Sequence, residues 1–295
     1  MRGWWRGPDG VRAGWCVLAF VLLNVLLVFV CVYLTPRAWL LSMVTKGQIT
    51  PGFMAYNELA LLVPAVVATA IMTRFEGRKF LYCGLGGDRA LVRLANGAFW
   101  GLLLLAAIML VLVATGHAAL ASGRLGGRGV VGYALAWAIA SLLTGLAEEL
   151  ALRGYLLQTI TRGLGFWPAL VITSLVFGAL HISNHGEGAI GVASAALGGA
   201  IMALGVRGTG SLWWSIGLHS AWDYAENFIF GTPDSGQICA GALLHTTPLG
   251  LGVLSGGATG PEGSLFSFSL LAVSFFLAWR VFGQSRTNKR PLTNK

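Results

Sequence analysis

The stretch VVGYALAWAIASLLTGLAEELALRGYLLQTIT, residues 130–161, decides the fold. From Val130 to Ala147 it carries no charge, and with the turns that follow it is long enough to cross a bilayer, since a spanning helix needs about 20 mostly apolar residues. Its second half carries Glu148, Glu149 and Arg153 among Leu and Ala, where charge is costly unless paired or used. At a rise of about 1.5 Å per residue the 32 residues extend to roughly 48 Å, beyond a hydrocarbon core of about 30 Å. Such a helix crosses the membrane and projects from it.

The rest of the chain fits that reading. Its 295 residues are 56% hydrophobic and only 11% charged, and the mean hydropathy is +0.73. Soluble domains run nearer one-quarter charged. Further apolar runs fall at 14–34, 53–73, 95–116, 166–183, 188–206, 211–230 and 265–283. Together they predict an all-α, polytopic membrane bundle of about eight transmembrane helices. No soluble stretch is long enough for a core of its own, so residues 1–295 form a single membrane domain.

The formal charge of +9 comes from basic residues clustered beside the apolar runs. That pattern suits contact with the lipid bilayer and does not suit nucleic acid. With the N-terminus inside, sixteen of the twenty Lys and Arg fall on inner segments, Arg153 among them, and the loop from 231 to 264 has none. Both termini are therefore expected in the cytoplasm. The four cysteines show no ligand spacing.

Glu149 and Arg153 stand four apart with the carboxylate N-terminal, the better orientation for a helical ion pair. Glu148 points about 100° away and has Leu152 at its own i+4 position, which leaves it unpaired as a candidate base. The next span brings Phe177 and His181, again four apart. The turn near Leu164 sets Glu149 and His181 at similar heights on an antiparallel hairpin. In SIGLHSAWDYAENFIFG, His219 and Asp223 repeat the spacing. Two imidazoles, a free carboxylate and an aspartate can polarise a water, stabilise an oxyanion or ligate a divalent metal, and the sequence leaves open a metal or none. The pair His181 and His185 lacks the Glu of a zincin helix. Glu226 and Asn227 read as supporting or interfacial groups, and His117, His245 and Glu262 as loop residues.

EELALR, FGALH and HSAWD follow one another on successive helices as EExxxR, FxxxH and HxxxN/D. In these motifs the chain resembles the CPBP membrane family, which groups type II CAAX prenyl endopeptidases with bacteriocin-processing and immunity proteins. The similar core covers residues 130–230. The resemblance implies an intramembrane endopeptidase with a polar cavity opening toward the cytoplasm. Glu148 and His181 would activate water, and His219 and Asp223 would stabilise the oxyanion. Glu149 and Arg153 would hold the cavity together. Asp223 departs from the Asn of prenyl-processing members. The composition suggests a bacterial inner membrane, where a membrane-associated peptide or protein is the expected substrate. A non-catalytic peptide-binding or immunity protein and a proton-coupled transporter are the alternative readings.

Overall fold

A computed structural model describes residues 6–7, 10–36, 44–45, 48–123, 125–184 and 186–283. His185 lies outside the described residues. Eight long helices build the bundle: α1 Ala13–Leu34, α2 Pro51–Phe75, α3 Ala90–Ala114, α4 Gly127–Leu164, α5 Phe166–Leu180, α6 Ala189–Thr209, α7 Leu212–Tyr224 and α8 Leu265–Ala278. Among the described residues, seven helical segments are long and apolar enough to cross a membrane. The exception is α7 with its π-helical extension Ala225–Phe230, which the sequence predicts as an eighth span. It carries His219, Asp223, Glu226 and Asn227 and touches protein nearly all round, with Leu212, Trp214–His219, Ala221 and Asp223 buried. A helix enclosed by its neighbours need not be as apolar as lipid. By contrast α1 buries only Cys16 and Phe20.

Small residues let α7 sit this deep. A methyl group added at Gly97 of α3 would lie 1.9 Å from the Trp214 carbonyl oxygen, and one at Gly101 would lie 2.2 Å from that of Leu218. From the other side, a methyl at Gly217 would meet the Leu94 carbonyl at 2.1 Å. The two backbones pack with no side chain between them, as small residues four apart permit in membrane helices. Gly97→Ala is therefore expected to push the helices apart and destabilise the fold by ~1–3 kcal/mol, read as a lower melting temperature in detergent. An unchanged melting temperature would contradict the close approach.

The 38 residues of α4 make it the longest helix. Its regular winding stops after Glu149, and Leu150–Leu156 form π-helical turns before α-helix resumes. Within this wide stretch Leu150, Leu152, Arg153, Gly154 and Tyr155 are all buried, covering more of the circumference than one α-helical face would. Arg153, which the charge count places on the inner side, is instead sealed in the bundle with no exposed surface.

The two ends of the bundle differ. At one end Leu212 N donates to Gly84 O at 2.8 Å and Arg162 meets Glu76 at 2.6 Å. Arg74, Arg78, Lys79, Arg89, Arg93 and Arg207 belong to this end, which is strongly basic. At the other end the strands Ala118–Ser122 and Leu244–Pro248 pair antiparallel, Ile49 N donates to Ile238 O, and Thr259 Oγ1 donates to Gly186 O at 2.9 Å. The segment 231–264 thus forms a packed roof. Trp137, buried in α4, fastens it through a 2.9 Å bond from Nε1 to Ala240 O.

Candidate active site

Glu148 and Glu149 close the regular part of α4, and Arg153 follows within the π-helical turns. Arg153 Nη1 donates to Glu149 Oε1 at 2.7 Å, with both side chains fully buried. The guanidinium also lies over the Phe177 ring, 4.4 Å from its centroid, and Gly199 of α6 leaves it room: a methyl there would come within 2.7 Å of Nη2. Phe177 in turn packs edge-on against His181 and His219, at 4.8 and 5.7 Å between centroids. One aromatic ring thereby spaces the arginine and both imidazoles.

The histidines are held in defined orientations. His181 stands where α5 gives way to a short 3-10 turn, and its Nδ1 lies 2.8 Å from Phe177 O. A carbonyl oxygen only accepts, so Nδ1 carries the proton and Nε2 is left for other chemistry. His219 Nδ1 lies 3.2 Å from Glu149 Oε1, the same oxygen that Arg153 engages. Glu149 is thus more than the partner of Arg153: it also fixes the ring of His219. The Nε2 of that ring stands 3.7 Å from Glu148 Oε2 and 3.8 Å from Asp223 Oδ2. Both gaps are too long for a direct hydrogen bond. Glu148, read from the sequence as turned toward His181, has His219 as its charged neighbour, because α7 fills the centre of the bundle.

Glu148, His181, His219 and Asp223 all line one cavity of about 270 Å³, near the low end of ligand clefts, which start at about 300 Å³. The cavity reaches the roof, where Asp234, Ser235, Gln237 and Glu262 of the 231–264 segment line it as well. Sequence reasoning passed over Glu58 and Asp234 and read Glu262 as a loop residue. Glu58 is buried, with Asn57 Nδ2 donating to it at 3.2 Å. A lone carboxylate in an otherwise apolar span was its available signal. Asp234 and Glu262 gave none, since both sit in a Gly-rich loop and reach the site only through its folding. Glu262 is 7% exposed, and burial, with Asp234 nearby, pushes its carboxyl up to about 7. Burial also raises Asp234 and Glu187. Neither His117 nor His245 lines the cavity, and Glu226 does.

The motif residues do not gather around one point as metal ligands do. Among the described residues, the ligand atoms that come together are those of Asp223, Glu226 and Asp234. Glu148, His181 and His219 share the cavity without forming such a ligand set.

The chain is thus an all-α membrane bundle whose cavity is lined by carboxylates and histidines. Residues 130–225 match the family model described as type II CAAX prenyl endopeptidase Rce1-like, the model of a protease family. No curated protein matches the chain.

Proposed function

We propose that the chain is an intramembrane endopeptidase that cleaves a membrane-associated peptide or protein through a water activated by Glu148. The observation that carries this reading is the meeting of Glu148, His181 and His219 in one cavity of a chain that matches the model of a protease family. In the first step Glu148, assisted by Nε2 of His181, takes a proton from water, and the oxygen attacks the scissile carbonyl. Negative charge then develops on the carbonyl oxygen. His219 offsets it if Nε2 carries a proton, and the carboxylates around that ring are the counter-charge for an imidazolium. Glu148 next delivers its proton to the amide nitrogen as the C–N bond breaks. Arg153, Glu149 and Phe177 position the groups that act. The test is incubation of the purified protein in detergent with membrane-inserted peptides, with new termini read by mass spectrometry. Intact peptides throughout would overturn the proposal.

The localisation we propose is a bacterial inner membrane with both termini in the cytoplasm. The basic end of the bundle then faces inward. The roof and the cavity beneath it face outward, opposite to the cytoplasmic opening that the family resemblance implies, so substrate reaches the site from the outer half of the membrane. Cysteine labelling checks this. Leu251 in the roof and Leu81 at the basic end are both exposed. In a background with Cys31 replaced by Ser, a membrane-impermeant maleimide should label Leu251→Cys in intact cells and Leu81→Cys only after permeabilisation. The reverse pattern would turn the molecule over.

A further inference from the structure

The cavity wall holds six carboxyl groups, those of Glu58, Glu148, Asp223, Glu226, Asp234 and Glu262, and neither Lys nor Arg. Four of them crowd its roofward end, where α7 runs into its π-helical turns and meets the 231–264 segment. Oxygens of Asp223, Glu226 and Asp234 lie within 4.8 Å of one another. Glu226 also meets Glu262 side chain to side chain. Asp223, Glu226 and Glu262 are 7%, 1% and 7% exposed. Each nevertheless has an oxygen with no hydrogen-bond donor: Asp223 Oδ2, Glu226 Oε1 and Glu262 Oε2. The donors that do reach the cluster are few. Asn227 Nδ2 bonds Asp234 Oδ2 at 2.9 Å, and Ser235 N bonds Glu262 Oε1 at 2.6 Å. Buried carboxylates short of cations and donors are strongly unfavourable, so four of them call for positive charge beyond that of His219, whose Nε2 stands 3.8 Å from Asp223 Oδ2.

We infer that Asp223, Glu226 and Asp234, with Glu262 beside them, form a site for one hard divalent cation of calcium size. The ligands are all oxygens, which selects calcium, magnesium or manganese over the softer metals. Size narrows this further. Calcium–oxygen bonds of about 2.3–2.6 Å let ligands on opposite sides of the ion stand up to about 5 Å apart, whereas magnesium at about 2.0–2.1 Å spans only about 4 Å. Separations of no more than 4.8 Å admit the larger ion, and a buried cage of protein carboxyls suits calcium better than magnesium, which keeps several of its waters. Bound there, the cation ties Asp223 and Glu226 at the end of α7 to Asp234 of the roof. It also supplies positive charge one helical turn from His219. The site uses none of Glu148, His181 or His219, and its occupancy does not depend on the chain cleaving anything.

The experiment uses the full chain in detergent, stripped with a chelator and titrated with calcium chloride alone and with manganese chloride alone. Calorimetry and manganese electron spin resonance give the stoichiometry, and thermal unfolding gives the stabilisation expected of a ligand that binds only the folded state. The expected result is one saturable ion per chain, a melting temperature raised by calcium more than by magnesium, and competition between calcium and manganese. Glu226→Gln and Asp234→Asn should each weaken the ion by about tenfold or more, a loss on the scale of removing a metal-site partner, while Glu148→Gln binds as the wild type does. Absence of saturable binding with no thermal shift overturns the inference. So does a wild type that is stabilised by acid and indifferent to calcium, which would assign protons, not a cation, to these carboxyls.

Discussion

Glu148→Gln is expected to leave a folded protein whose cleavage rate falls by ~10²–10⁴, the usual contribution of a positioned general base. The substitution keeps the size of the side chain and its capacity to hold a water, and removes only the ability to take up a proton. Folding should survive, because the Glu148 side chain is 29% exposed and stands 3.7 Å from its nearest charged neighbour, so no tight pairing is lost. The measurement pairs peptide cleavage by mass spectrometry with a melting curve on the same preparation. A variant that cuts at the wild-type rate removes Glu148 from the reaction. One that still binds peptide, compared with a wild type that binds but never cuts, supports a non-catalytic member of the family instead. The contrast with Glu149 sharpens the test: one residue further along the helix, an equally conservative change should act on stability first.

How much of this was legible in the sequence depended on whether a contact is local. Glu149 with Arg153, Phe177 with His181 and His219 with Asp223 are each four residues apart, and helical geometry alone places each pair on one face. That periodicity also found the apolar spans, because lipid-facing helices such as α1 must be apolar around most of their surface. Contacts that depend on how the helices pack were not legible. Glu148 faces His219 because α7 is drawn inward along Gly97, Gly101 and Gly217, and nothing at helical spacing reports that approach. The π-helical turns after Glu149 have no marker in LALRGYL. The roof was the least accessible part. Asp234 and Glu262 stand 28 residues apart in a segment without hydrophobic periodicity, yet the bonds from Asn227 and Ser235 bring both to the cavity.

The largest effect on stability should come from Arg153→Ala. In the folded protein the guanidinium and the Glu149 carboxylate share a 2.7 Å bond with no exposed surface on either side chain. Removing the arginine leaves a buried carboxylate whose remaining charged contact is His219 at 3.2 Å. It also empties the space over Phe177 that the guanidinium fills. Breaking a buried pair from one side typically costs ~3–5 kcal/mol, because the remaining charge is left out of reach of water and short of the partner that balanced it. Replacing both ends changes the sign of that argument. Arg153→Met combined with Glu149→Leu keeps much of the volume and removes both charges, so it should recover much of the lost stability, as apolar replacements of buried ion pairs often do. Activity should not return with it. Without the carboxylate of Glu149 the Nδ1 of His219 loses the acceptor that fixes its ring, and the ring is free to turn from Glu148 and Asp223. Melting temperature and cleavage rate measured on the single and double variants separate these effects: stability should follow the balance of charge, and turnover should follow Glu149. If Arg153→Ala melts with the wild type, the pair is not buried as described.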